Sequence, residues 1–483
     1  MADKYDYNVI VIGAGSAGLV SSYIAAAVKS RVALIEREKM GGDCLNTGCV
    51  PSKALIRTAK AVHESEKAKD LGLTKIDIEF EFSEVMERVS RVIKQIEPHD
   101  SVERFEGLGV EVFQGEAKVI SPHEVQVEDK ILTTKNIIVA TGAAPFVPPI
   151  PGLIDAPYVT SDTIWDIREL PKKLVVIGGG PIGSELSQAM SRLGSEVTVI
   201  EGDAQILGKE DPQFSSLIKE RFEKEGIKVL TEHRAAEVLT LEDGTHALRC
   251  THNGQNVDVP FSLLLVALGR RARVAGFGLE ELGIELNKNQ TVEADIFLRT
   301  NVPNIYVCGD VTGPYQFTHF GAHQAYYAVV NALFSPFKKT RTDYSIVPWC
   351  TFTDPEVAHV GLNETEAKKK NVSYKVFEYS FSELDRAITD GDDYGFMRVL
   401  VKPGKDTILG VTIAGSRASD LIAEFVLAMK YGLGLNKILS TIHLYPSYPE
   451  ANKALAGVWK KETAPVWVFP LLNKYHAFRR KFW

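Results

Sequence analysis

The stretch Val9-Ile10-Val11-Ile12-Gly13-Ala14-Gly15-Ser16-Ala17-Gly18, with Val32-Ala33-Leu34-Ile35-Glu36 after an intervening apolar segment, decides how the chain begins to fold. Four consecutive β-branched residues suit a strand buried on both faces of a parallel sheet. The three glycines have separate uses: a tight turn, close approach of backbone to a pyrophosphate, and close helix–strand packing. The helix that follows would point its N-terminus at phosphates, and Glu36 would hold ribose hydroxyls. One such loop is weak evidence, because Gly-rich turns join many strands to helices.

A second copy changes the weight. Leu174-Val175-Val176-Ile177 leads into Gly178-Gly179-Gly180-Pro181-Ile182-Gly183, and Val197-Thr198-Val199-Ile200-Glu201 closes the unit. In both copies an acidic residue lies 23 positions after the first glycine. Two dinucleotides are implied, one served by Gly13, Gly15, Gly18 and Glu36, the other by Gly178, Gly180, Gly183 and Glu201.

Bulk properties bound the rest. A chain of 483 residues exceeds a single core and implies about three domains. The net charge of −7 offers no concentrated cation field for nucleic acid. The run Lys368-Lys369-Lys370 follows Asn363-Glu364-Thr365-Glu366, which reads as a helix cap and first turn. No signal peptide precedes the first strand, no apolar stretch reaches bilayer length, and five cysteines do not make a disulfide scaffold. A cytoplasmic location is expected.

The densest chemistry lies in Gly41-Gly42-Asp43-Cys44-Leu45-Asn46-Thr47-Gly48-Cys49-Val50-Pro51-Ser52-Lys53. In a regular helix, residues i and i+5 lie roughly 8–9 Å apart. A disulfide needs Cα atoms within about 7 Å, so the turn must be distorted, and Gly48 permits that. Lys53 shares the face of Cys49 if Pro51 occupies a helical first turn, and a cation there favours the thiolate. The other reading is a structural disulfide or inert thiols. Cys250 and Cys350 read as buried apolar residues rather than catalytic ones.

This segment resembles the class I pyridine nucleotide–disulfide oxidoreductases, the family of dihydrolipoamide dehydrogenase, glutathione reductase and mercuric reductase, over Tyr7 to about Gly457. The resemblance implies an α/β fold of two Rossmann-type dinucleotide-binding domains plus a C-terminal α+β dimerisation domain. Expected boundaries are 1–155 for FAD binding, 156–272 for NAD binding, 273–345 completing the FAD domain, 346–460 for the interface domain and 461–483 for a basic aromatic tail. It implies catalytic roles for Cys44, Cys49, Lys53 and Glu185, with Cys49 against the flavin and Cys44 meeting substrate. It also implies cofactor contacts from Lys53, Ala117, Thr141, Gly142, Asp310, Thr318 and Gly269. A carboxylate at Glu201 accepts the ribose 2′-hydroxyl of NADH and repels the 2′-phosphate of NADPH, and no Lys or Arg follows it before Lys209. NADH is therefore the expected donor.

Family members acting on dithiols close the interface domain with His-x-His-Pro-Thr-x-x-Glu. This chain reads His443-Leu444-Tyr445-Pro446-Ser447-Tyr448-Pro449-Glu450, which puts tyrosine at the acid–base position. The resemblance implies a homodimer in which each site uses Tyr445 of the partner subunit and Glu450 of the partner subunit. An ordinary tyrosine titrates near about 10, and acid–base help is worth about 10²–10⁴ in rate. The leading expectation is thus a mercuric-reductase-like enzyme with a metal ion or other non-disulfide acceptor. The alternatives are a dihydrolipoamide dehydrogenase-type dithiol oxidoreductase and a non-enzymatic redox sensor. His443 is read as structural.

Residues 464–483 interleave Trp, Phe, Tyr and Leu with Lys and Arg, which suits a lipid headgroup region. Pro465 and Pro470 are expected to prevent one continuous helix. A tail packed over its own dimer, or a disordered end, is the other reading.

Overall fold

The computed structural model describes residues 4–74 and 76–482. The chain divides into two compact units, Met1–Lys209 with Lys219–Tyr344, and Glu210–Ile218 with Ser345–Trp483.

In the first unit, strand Tyr7–Ile12 pairs in parallel with Val32–Glu36 on one side and Lys130–Val139 on the other. Val110–Gln114 and the sequence-distant Ile305–Val307 extend this sheet, also in parallel. Ile10, Leu34, Ile137 and Ile138 are fully buried within it, and each such side chain contributes about 1.5–3 kcal/mol. Helix α1 (Ser16–Ala27) crosses between the first two strands. Two further helices follow the second strand, α2 (Gly42–Asn46) and α3 (Cys49–Glu66).

A second parallel sheet has the order Lys228–Leu230, Glu196–Ile200, Lys173–Ile177, Leu263–Val266, Tyr158–Thr160. Its crossover helix is α4 (Pro181–Arg192). Helix α5 (Thr318–Phe334) returns the chain to the first sheet, where it packs along α1.

The two glycine loops are built alike. Gly13 and Gly178 adopt φ of +101° and +109°, and a Cβ on either would sit 2.5 Å from the carbonyl oxygen of Ala140 or Ala267. A Cβ on Gly18 or Gly183 would overlap the Gly13 or Gly178 oxygen at 1.7 or 1.9 Å. Gly180 faces open space, and Gly15 meets only the Gly42 Cα at 4.0 Å. First and third glycines thus serve turn and packing, while the middle one leaves room for a ligand.

The second unit is a five-stranded antiparallel sheet ordered Pro348–Thr351, Glu356–Gly361, Ile408–Gly415, Phe396–Val401, Lys375–Ser380. Helices Ala418–Lys430 and α6 (Glu450–Glu462) pack on it through Phe425, Leu455 and Trp459. Asn363 caps the helix Glu364–Lys369 by accepting from the Glu366 N–H. Residues 210–218 join this unit although they lie between strands of the second nucleotide fold. Phe214 stacks on Phe396 at 4.6 Å, and Asp211 accepts the backbone N–H groups of Glu364 and Thr365.

The tail meets the expectation at one proline and departs from it at the other: α6 ends at Glu462, and Pro465 lies in the break before the next helix. Helix α7 runs unbroken over Val468–Phe482, and Pro470 lies in its first turn, where a missing N–H costs no hydrogen bond. Among the described residues no helix is long and apolar enough to cross a membrane.

Gly183→Ala, whose methyl group has no room, is expected to lower the unfolding free energy by about 1–3 kcal/mol. Gly180→Ala, at φ −71° in open space, should change it by no more than about 0.5 kcal/mol. Denaturant titration of both variants checks the division of roles.

Candidate active site

Cys44 and Cys49 meet because the helix between them is broken. α2 ends at Asn46, Thr47 has φ −137° and ψ 0°, Gly48 has φ −122° and ψ −105°, and α3 restarts at Cys49. A Cβ on Gly48 would lie 2.9 Å from the Asp43 carbonyl oxygen, so glycine lets the break close tightly. The two thiols, both free in this structure, are within hydrogen-bonding reach of each other. Pro51 takes the third position of α3, and Lys53 follows on the same helix.

Neighbouring groups favour one thiolate. The hydrogen bond from Cys44 lowers the Cys49 thiol to about 6, helped by Thr318 and the Lys53 charge against the opposing effect of burial. The same contact, then burial, pushes Cys44 upward. Thr318 opens α5, and its hydroxyl lies 3.4 Å from the Cys49 sulfur. The positive end of a 17-residue helix therefore faces the thiolate. Cys49 is exposed and Cys44 half-buried, unlike the buried Cys250 and Cys308.

Lys53 Nζ donates to Glu185 Oε2 at 2.8 Å, tying the redox helix to α4. Glu185 is only 7% exposed, and a buried carboxylate of this kind needs its cation.

A second cluster holds the turn and was not singled out from the sequence. Arg270 pairs with Asp43 and with Asp162 and donates to the Ala143 carbonyl. Trp165 Nε1 donates to the Thr47 carbonyl at 2.8 Å, directly at the break. Burial raises the Asp43 carboxyl despite Arg270. The only sequence signal for this clamp was the position of Arg270 immediately after Gly269.

The nucleotide loops fit their ligands on two counts. The N-caps of α1 and α4 are Gly15 and Gly180, with no side-chain cap and no acidic residue in the first turn. Their leading N–H groups are thus available to phosphate. Glu36 and Glu201 are each held by a loop N–H, from Ala14 at 2.6 Å and Gly179 at 2.8 Å. Each keeps lone pairs for ribose hydroxyls. Asp310 lies near Cys49 and Asp43, its carboxyl pushed up to about 6 by burial. No hydrogen-bond donor among the described residues engages it, which leaves it free for a ligand hydroxyl.

Of the remaining sites, Ala117 begins the strand Ala117–Ser121, packed against the first core. Thr141 Oγ1 donates to the Arg273 carbonyl, and Gly142 has φ +68°. Gly269 turns the chain at φ +98° into Arg270–Ala272. Arg234, far away in sequence, lies beside Gly202, where its Cγ would be 3.5 Å from an added Cβ.

Within the second unit, Tyr445 is 66% exposed and its hydroxyl donates to Asp385 Oδ2 at 3.0 Å. That hydrogen bond, and the Asp385 charge, raise the phenol above its usual range. Glu450 instead accepts the Ser447 N–H at 3.3 Å. The tyrosine is thus hydrogen-bonded to Asp385 and not to Glu450. The signal for Asp385 was absent from the motif, 60 residues away. His443 is fixed by Glu424 through Nε2 at 3.1 Å and by the Thr441 carbonyl through Nδ1.

In the reduced protein, alkylation of Cys49 by iodoacetamide should rise through a midpoint near pH 6, because only the thiolate attacks and a proton quenches it below that value. Lys53→Gln removes a favourable charge, so the midpoint should move upward. A profile unchanged from that of an ordinary thiol would refute the assignment.

Comparison with known proteins places the chain in a family. Residues 7–332 match the family described as pyridine nucleotide-disulphide oxidoreductase, and residues 347–456 match its dimerisation domain. The chain is 35% identical over 463 residues to the dihydrolipoyl dehydrogenase of Chlamydia trachomatis, covering 94% of this chain and 97% of that one. It is 33% identical to the same enzyme of Geobacillus stearothermophilus, covering 93% and 96%. The HOCl-induced flavoprotein disulfide reductase RclA of Escherichia coli superposes with a TM-score of 0.83 at 26% identity, covering 94% of this chain and 100% of that one. Its Cu(II) complex also gives 0.83. These relatives favour a dithiol–disulfide class and lend no support to a special closeness to mercuric reductase. The chain belongs to the pyridine nucleotide-disulphide oxidoreductases, enzymes that use FAD and a pyridine nucleotide, and it carries their dimerisation domain.

Proposed function

We propose that this enzyme moves electrons from NADH to a disulfide acceptor through Cys49 and Cys44, in the manner of a dihydrolipoamide dehydrogenase-type dithiol–disulfide oxidoreductase. The observation that carries the reading is the Cys44–Cys49 contact, with Lys53, Glu185 and the α5 N-terminus beside it. FAD, when bound, would take a hydride from the nicotinamide and pass an electron pair to the cysteine disulfide. Gly13, Gly15, Gly18 and Glu36 would hold its adenosine diphosphate, with Asp310 on the ribityl chain. Gly178, Gly180, Gly183 and Glu201 would hold the nicotinamide dinucleotide.

The residues then do simple things. Cys44 attacks one acceptor sulfur and forms a mixed disulfide, its thiol proton passing to the sulfur that leaves. Cys49 attacks Cys44, frees the second thiolate and restores the internal disulfide. Two electrons and two protons are thereby transferred. Lys53 holds Cys49 ionised for its attack, and the broken turn keeps the two sulfurs close.

One observation favours a second reading. Tyr445, with its proton held more tightly by Asp385, is a poor acid at neutral pH. A metal ion or other acceptor that releases no thiol does not need that proton, and Cu(II) is bound by the similar RclA in its complex. An acceptor panel of lipoamide, glutathione disulfide, Hg(II), Cu(II) and quinones decides between them. On the first reading lipoamide is the best acceptor, Cys44→Ser abolishes its reduction, and Tyr445→His speeds it by up to about 10²–10⁴. Preferred turnover of a metal ion, with no gain from Tyr445→His, supports the second.

NADH should give a higher kcat/KM than NADPH, since Glu201 directly follows its strand and can accept a ribose 2′-hydroxyl while repelling a 2′-phosphate. Glu201→Ala should narrow the gap. An intrinsic preference for NADPH would overturn the choice of donor.

A further inference from the structure

The last 20 residues lie outside the matched dimerisation domain, which ends at 456. They nevertheless fold, as helix α7 over Val468–Phe482. Val468, Leu471, Tyr475 and Phe478 recur at intervals of three and four, so they line one face of the helix. On that face Leu471 is 55% exposed, Tyr475 52% and Phe478 57%. Trp467 and Leu472 are exposed beside it.

The cations are spread around the helix. At 100° per residue Arg480 falls opposite the apolar face, Lys474 and Lys481 flank it, and Arg479 lies between Val468 and Leu472. In a chain of net charge −7, residues 463–483 carry these four cations and no Asp or Glu. Near the junction of α6 and α7 the second unit also has a cleft of about 690 Å³, lined by Lys375, Lys402, Lys405 and Lys460 together with Asp406 and Glu462. Cations thus outnumber anions at the base of the tail as well as along it.

We propose that α7 docks this enzyme on an anionic lipid bilayer, lying in the plane of the headgroups with Leu471, Tyr475 and Phe478 toward the acyl chains. At 15 residues the helix is about 22 Å long, short of the roughly 30 Å hydrocarbon core, and its four cations oppose insertion across it. Aromatic rings at the interface and Lys or Arg beside anionic phosphates are the two groups such a surface accepts. Charge selects the occupant: a surface that is cationic and free of acid fits a negatively charged bilayer. The docked state would present the flavoenzyme to acceptors held at a membrane surface.

The holoenzyme is sedimented with vesicles of phosphatidylcholine containing phosphatidylglycerol, and with vesicles of phosphatidylcholine alone. The full chain should partition onto the first and not the second, and high salt should release it. Each Lys or Arg near an anionic surface is worth roughly fivefold in partitioning, so Arg480→Glu with Lys481→Glu should weaken binding by roughly 25-fold or more. Leu471→Asp with Tyr475→Asp should abolish binding, while flavin content and NADH-driven turnover in solution stay as in the wild type. Equal sedimentation with both vesicle types overturns the proposal. So does conversion of dimer to monomer, measured by analytical ultracentrifugation, when residues 464–483 are removed, because the helix would then belong to a second copy of the chain.

Discussion

The break at Thr47-Gly48 is the constraint on which the active site rests. An intact helix would hold two sulfurs five residues apart beyond bonding range. Ending α2 at Asn46 and restarting at Cys49 swings them together, and the turn is then fixed from outside by Trp165 and by the Arg270 pairs with Asp43 and Asp162. These partners come from segments more than a hundred residues away. The geometry of the cysteines is therefore a property of the whole first unit rather than of the motif that contains them.

Electrostatics follows from that placement. Opening α3 at Cys49 puts its sulfur near the α5 N-terminus, with Lys53 one turn further on. Both favour a thiolate, and the adjacent Cys44 supplies the proton donor that stabilises it. Glu185 offsets part of the Lys53 charge while anchoring the lysine to α4. Cation, carboxylate and helix end thus act on a single atom.

The second unit carries the departure from the dithiol pattern. Replacing an imidazole by a phenol could have left a usable acid if its environment lowered its affinity for the proton. Asp385 does the opposite, because a neighbouring carboxylate favours the neutral phenol. His443, the other histidine of the run, has both ring nitrogens engaged. Overall similarity to dihydrolipoyl dehydrogenases and this local chemistry therefore point to different acceptors, and the contrast lives in a few side chains rather than in the fold.

By itself the sequence determined the two nucleotide folds, because glycine at three fixed positions and an acid 23 residues on are local steric and electrostatic requirements. It also singled out Cys44, Cys49 and Lys53, since their spacing has meaning on a helix and its distortion. Only the tertiary structure decided what surrounds them. Asp162, Trp165 and Arg270 converge on the turn, Arg234 comes to Gly202, and Asp385 comes to Tyr445 through contacts between segments with no fixed sequence separation. It also decided that α7 is one helix: a proline's effect depends on its place in the hydrogen-bond ladder, and Pro470 falls in the first turn, where the ladder has not begun.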